Sequence, residues 1–243
     1  MRVASRIVAE ILDEVVKAAK PGVATLELDR LAEELTYKKG AKPAFKGYRP
    51  HQVEYRHSLC VSINEEIVHG IPRAGRKLKH GDIVGLDFGV SYEGLFGDAA
   101  RTIAIGKVTS EAQRLMETTR EALYAGIEQA RPGKRISDIG RAVQSTAEQA
   151  GFSVVTEFAG HGIGRRLHED PQVPNYFYAG MPNPRLQPGM VLAIEPMVNQ
   201  GGAELEILAD GWTAVTADRK LSAHFEHSIA ITAEGPEILS ELR

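Results

Sequence analysis

With one cysteine in 243 residues, Cys60, the chain can form neither an internal disulfide nor a cysteine-based zinc site, which suits a reducing compartment. It has no run of about 18 apolar residues and no signal-peptide pattern. The expectation is a cytoplasmic protein with no membrane partner. A net charge of −3 gives no general reason to expect nucleic acid, and DNA is not a predicted partner. The one basic cluster, "RAGRKLKH" (residues 73–80), reads as a solvated loop, with a transient contact to ribosomal RNA as the weaker alternative. Several motifs are also missing. "GHGIGR" lacks the third glycine of the dinucleotide fingerprint, since position 165 is Arg165. "HEDPQ" is not HExxH, "HFEH" is not HxxEH because Ala223 precedes it, and no GxxxxGK[ST] phosphate loop occurs.

What is present is the composition of an ordinary globular protein, 43% hydrophobic and 25% charged, in a chain long enough for a substantial core. Ile7, Val8, Ile11, Leu12, Val15 and Val16 recur at helical spacing and predict a first helix with one buried stripe, ended by "KPG". A second helix is expected from about Thr25, closed by Gly40. The same organisation then returns. "KPGVATLELDR" (20–30) lines up without gaps on "RPGKRISDIGR" (131–141), "VHGIP" (68–72) on "GHGIG" (160–164), "GDIVGLD" (81–87) on "GMVLAIE" (189–195), and "DAARTIAI" (98–105) echoes "EHSIAI" (226–231). Four matches in the same order predict one α+β domain over 1–243, built from two related halves of about 1–107 and 108–243. The repeat is far longer than a solenoid unit of roughly 20–50 residues.

In each half an acid closes the same apolar strand: Asp87 after "IVGL" and Glu195 after "VLAI". The second acids, Asp98 and Glu226, precede matching "IAI" strands at distances that differ by an even number, so both can face one side of a sheet. Taken singly, an aspartate beside glycine reads as a turn residue, and His161 or His168 as a hydrogen-bonding side chain. Together, Asp87, Asp98, Glu195 and Glu226 cannot stay ionised in one low-dielectric pocket without cations, so either several are protonated or metal ions are bound. Adding His161 makes four oxygen donors and one imidazole, a set that suits a pair of divalent transition metals.

At these residues the chain resembles the type I methionine aminopeptidases, of the creatinase or pita-bread fold. The motifs are "SINEEIVHGIP" (62–72), "LDFGVSYEGLFGDAART" (86–102), "GHGIGRRLHEDPQVP" (160–174), "PGMVLAIEPM" (188–197) and "DGWTAVTADRKLSAHFEHSIAIT" (210–232). The resemblance implies two pseudo-symmetric halves with helices packed on a curved antiparallel sheet. It implies removal of the initiator methionine from nascent chains with a small second residue, by a water activated between two divalent ions (cobalt, manganese, iron or zinc). The family's ligands carry over to Asp87, Asp98, His161, Glu195 and Glu226. Its acid/base glutamate carries over to Glu195, and its two substrate-contacting histidines to His69 and His168. The methionine slot falls on Phe45, Tyr48, Cys60 and Trp212, with Leu167 beside them. The segment "GYRPHQVEYRHSLC" (47–60) is longer than the family's and lacks its Gly-aromatic-Pro turn, which leaves Tyr55 as the candidate for the missing aromatic. A proline-directed peptidase of the same fold and a metal-free binding module are the rival readings. The first usually carries a further N-terminal domain, and the second should lack one of the five ligands. The short run from His161 to Glu195 leaves no room for the insertion of a type II enzyme. A monomer is the default expectation.

Overall fold

The computed structural model describes residues 1–50 and 53–242. The first half of the chain forms α1 (Arg2–Ala18), α2 (Thr25–Lys38), β1 (Lys42–Pro43), β2 (Leu59–Ile63), β3 (Glu66–Val68), β4 (Ile83–Tyr92) and β5 (Leu95–Ala104). The second half forms α3 (Ser110–Gln129), α4 (Ile136–Gln149), β6 (Ser153–Val154), β7 (Ala159–Gly162) and β8 (Glu169–Pro174). It continues with β9 (Val191–Ile194), β10 (Met197–Asn199), β11 (Leu205–Ile207), β12 (Ala214–Thr216), β13 (Ser222–His224), β14 (Glu226–Ile231) and β15 (Pro236–Ile238).

The expected apolar stripe of α1 is buried at Ile7, Val8, Ile11, Leu12 and Val15, and each such side chain contributes about 1.5–3 kcal/mol by leaving water. Gly97 lets this helix touch the sheet, because a Cβ there would lie 2.7 Å from the Ser5 nitrogen. The Thr109 hydroxyl accepts from the Ala112 N–H at 3.1 Å and opens α3. The Asp138 carboxylate accepts from the Arg135 N–H at 2.8 Å and opens α4.

A nine-stranded antiparallel sheet runs in the order β1-β4-β5-β14-β9-β7-β8, with β2 added on β4 and β15 on β14. At its middle, Glu226 lies opposite Ala100 and His227 opposite Ala99. The strands that carry the four acids, or end beside them, are thus consecutive: β4, β5, β14, β9. Period-two alternation then sorts the side chains. Val84, Leu86, Phe88, Val90 and Ala99 join α1 and α2 in one core cluster. Leu192, Ile194, Ile229 and Ile231 join α3 and α4 in another. Asp87, Asp98, His161 and Glu226 alternate with these residues and face the other side. Helices take one face of the sheet and leave the acids on the opposite one.

Candidate metal centre

Registers across the strands bring the predicted residues together. Asp87 pairs with Ala100 on β5 and with Cys60 on β2, and Asp98 pairs with Gly89. Ala100 also faces Glu226, so the two central acids stand two residues apart on one face. His161 pairs with Ala193, two residues before Glu195. Hydroxyls pin the backbone where ladder bonds end. Ser228 Oγ accepts from the Asp98 N–H at 3.1 Å and donates to the Asp98 carbonyl at 2.8 Å. Asn175 Nδ2 donates to the Glu195 carbonyl at 3.0 Å.

One ligand atom each from Asp98, His161 and Glu226 lies within 4.8 Å of the other two, and all three residues are buried. Asp87 Oδ1, Asp98 Oδ1 and Glu226 Oε1 have no hydrogen-bond partner among the described residues. Burial pushes the Asp87 carboxyl up to about 7. Burial, with repulsion among the four acids, holds Asp98, Glu195 and Glu226 well above the usual carboxylate range. Burial pushes the His161 imidazole down to about 4, and neighbouring His168 adds to that. His161 Nδ1 donates to the Gly162 carbonyl at 2.9 Å, so Nε2 keeps its lone pair, and that nitrogen faces Glu195 Oε1 at 3.5 Å. A lone pair aimed at a carboxylate oxygen repels it unless a cation lies between. Orphaned carboxylate oxygens and a lone-pair imidazole are the donor set of a divalent metal site, and the residues present fit one.

All of the predicted site residues line one cavity of about 820 Å³: the five ligands, His69, His168, Phe45, Tyr48, Cys60 and Trp212. His69 sits at φ 60, in a turn whose next residue must be glycine, because a Cβ on Gly70 would lie 2.2 Å from the Val61 carbonyl oxygen. The His69 ring stands edge-on to Phe158 at 5.4 Å and to Trp212 at 6.0 Å, and burial pushes it down to about 4. The His168 ring lies 4.2 Å from that of His161, and its Nδ1 shares a 2.9 Å hydrogen bond with the Tyr48 hydroxyl.

The apolar wall is a separate cluster of Phe45, Tyr55, Cys60, Ile163 and Leu167, with Tyr48 and Trp212 packed against it. Tyr55 is 2% exposed, lines the cavity edge-on to Trp212 at 5.1 Å, and donates to the Leu59 and Gly70 carbonyls at 3.0 and 3.1 Å. The 47–60 lip therefore delivers Tyr55 to the cavity wall; His51 and Gln52 of that lip lie outside the described residues. Asp29 of α2 holds the lip's base, accepting from the Ser58 and Leu59 N–H groups at 2.7 and 3.1 Å and bonding His57 Nδ1 at 2.8 Å. Burial, followed by the charge of Asp87, pushes the Cys60 thiol well above its ordinary value, which keeps it a thiol.

Sequence reasoning passed over three groups. Phe158 and Tyr176 also line the cavity. His224, noted only for failing a motif, is 3% exposed, and its Nε2 stands 3.8 Å from Glu195 Oε2. Its position two residues before Glu226 in an alternating strand was the available signal. Of the basic cluster, Arg73 pairs with Asp210 at 3.2 Å and Arg76 pairs with Glu66. No helix among the described residues is long and apolar enough to cross a membrane.

Comparison with known proteins places this geometry. The model of metallopeptidase family M24 matches residues 1–233. The methionine aminopeptidase of Aquifex aeolicus is 51% identical over 245 residues, covering 100% of this chain and 95% of the relative. Methionine aminopeptidase 1 of Bacillus subtilis is 52% identical over 244 residues, again covering 100% of this chain and 95% of the relative. The crystal structure of the Thermotoga maritima methionine aminopeptidase superposes with a TM-score of 0.95 at 45% identity, over 100% of this chain and 95% of that one.

Proposed function

Because the chain belongs to metallopeptidase family M24, we propose that it removes the amino-terminal methionine from nascent polypeptides whose second residue is small. The observation that supports this is the convergence of the five predicted metal ligands and an apolar aromatic wall on one cavity.

Asp98 and Glu226 would hold both of two divalent ions (cobalt, manganese, iron or zinc), Asp87 one of them, and His161 with Glu195 the other. Bound there, the ions would lower the pKa of a water and polarise the scissile carbonyl. Glu195 accepts the water's proton on its carboxylate and returns it to the leaving amine. His168 Nδ1 and the Tyr48 hydroxyl share a 2.9 Å hydrogen bond; in the tautomer where the hydroxyl donates, His168 Nε2 carries the proton and would donate to the oxyanion. His69, held between Phe158 and Trp212, takes the scissile amide. The unbranched thioether chain of methionine fills the slot between Tyr55, Cys60 and Trp212, where soft sulfur–aromatic contacts favour it. The substrate's free amine lies toward Asp87, so only chain ends are read.

In this reading the enzyme is a single-domain cytoplasmic monomer whose partners are peptide N-termini. A ribosome contact through residues 73–80 would rest on Lys77 and Lys79, since Arg73 and Arg76 are ion-paired within the fold.

The test strips the protein with chelator, reloads it with manganese or cobalt, and offers Met-Ala-Ser and Ala-Pro-Ala. Metal-dependent release of methionine from the first peptide alone, read by mass spectrometry, is the expected result. Cleavage of only the Ala-Pro bond would move the chain to the proline-directed branch of the fold. Absence of bound metal would overturn the enzymatic reading.

A further inference from the structure

Glu195 lies between two imidazoles. His161 Nε2 stands 3.5 Å from Oε1 and His224 Nε2 stands 3.8 Å from Oε2. The two rings are not equivalent. The hydrogen bond to the Gly162 carbonyl takes the proton of His161 at Nδ1, so its Nε2 cannot donate. No side-chain hydrogen bond fixes the tautomer of His224 among the described residues, and its Nε2 is a buried polar atom without a partner. With a cation bound Glu195 is ionised and offers only acceptors, so a nitrogen facing it is satisfied by carrying the proton.

The backbone of His224 is held as firmly as that of a metal ligand. Thr102 Oγ1 accepts from the His224 N–H at 2.9 Å and donates to the His224 carbonyl at 2.7 Å. Ser228 makes the same double bond to Asp98, so the clamp is used twice, once on a predicted ligand and once on His224. Met197, two residues past Glu195, pairs with His224 across β10 and β13, which ties the two segments in register.

We propose that His224 is a positioning residue for Glu195. Its Nε2–H is directed at Glu195 Oε2, 3.8 Å away, and this fixes the carboxylate's rotation so that Oε1 and the lone pair of His161 converge on one cation. The buried Nε2 then has its partner, and Glu195 keeps the orientation in which it can both ligate and exchange a proton. The proposal rests on the reading of Glu195 as a ligand and acid/base group. Hydrogen-bond partners that orient metal ligands typically change metal affinity or activity about 10–100-fold when removed.

The experiment compares purified wild type, His224→Leu and His224→Gln, with His224→Asn, too short to span the gap, replacing the leucine variant if that does not fold. Far-UV circular dichroism and Tm establish folding. Three quantities are then read: the dissociation constant for Co(II) by calorimetry, the visible spectrum of the Co(II) form, and kcat and KM separately on Met-Ala-Ser. In His224→Leu, Co(II) affinity and kcat should fall about 10–100-fold, KM should change little and the d–d bands should shift. His224→Gln, whose amide still donates, should recover most of both losses. A folded His224→Leu with wild-type affinity, spectrum and kcat would overturn the proposal. So would losses that glutamine fails to recover. Failure of wild type itself to bind Co(II) or release methionine would overturn the underlying function instead, which keeps the two distinguishable.

Discussion

Removing the metal should expose the proton chemistry of Asp87, and the size of the effect follows from the structure. Burial raises its folded pKa from 3.8 to about 7. A group whose folded pKa is raised stabilises the fold fully below its unfolded value, and that stabilisation is lost as pH rises through the folded value. Three units amount to about 4 kcal/mol in all. Between pH 6 and 8.5 the loss is about 1–1.5 kcal/mol from Asp87 alone, since at pH 6 the folded group is mostly protonated and at 8.5 it is not. The buried histidines act oppositely. His69, His161 and His227 are pushed down to about 4, and their contribution rises with pH until the unfolded imidazoles are neutral. The comparison must therefore be with Asp87→Asn, which shares those histidines. In chelator-stripped protein, Tm of wild type minus Tm of Asp87→Asn should fall by about 2–6 °C from pH 6 to pH 8.5, because 1 kcal/mol shifts Tm by about 2–4 °C at this chain length. The Asp87 charge also raises Asp98, Glu195 and Glu226, which adds in the same direction. Saturating manganese, which binds the ionised acids, should stabilise wild type more at pH 8.5 than at pH 6. A Tm difference that is flat or rises with pH would refute the reasoning. It would mean that the protein itself, rather than a metal, compensates the Asp87 charge.

Three further outcomes are expected. Asp29→Ala leaves the buried Ser58 and Leu59 N–H groups without their acceptor, so urea titration should show a loss of about 2–5 kcal/mol, and the loosened lip should raise KM. Gly160→Ala would place a Cβ 2.3 Å from the Ala193 carbonyl oxygen, pushing β7 from β9; Co(II) affinity should fall through displacement of His161, while Asp98→Asn loses it by losing a ligand. Tyr55→Ala opens the slot beside Trp212 and should raise KM for methionine peptides about tenfold or more, whereas Tyr55→Phe keeps the ring and should cost only the hydroxyl's bonds to Leu59 and Gly70, seen as about 1–3 kcal/mol of stability.

Much of this molecule is written in short-range pattern. The stripe of α1 and its end at "KPG" follow from helical spacing. The acids at the ends of "IVGL" and "VLAI" follow from strand alternation, which puts Asp87 opposite in facing to Leu86 and Phe88 whatever the partner strands are. Burial of several carboxylates near His161 then demands, on electrostatic grounds alone, either protons or cations. Local pattern does not reach across strands. That Glu226 meets Ala100, placing it two residues from Asp98, depends on the β5–β14 register, a contact between segments more than a hundred residues apart. The sequence offers Tyr55 as a candidate aromatic, but that it reaches the cavity wall depends on the Asp29 anchor and on its bonds to Leu59 and Gly70. His224 belonged to no motif; its place beside Glu195 exists because β13 pairs with β10 and Thr102 clamps its backbone. Residue chemistry and periodicity decide which side chains need a cation or a core. Register and long-range hydrogen bonds, which no single segment contains, decide which of them meet.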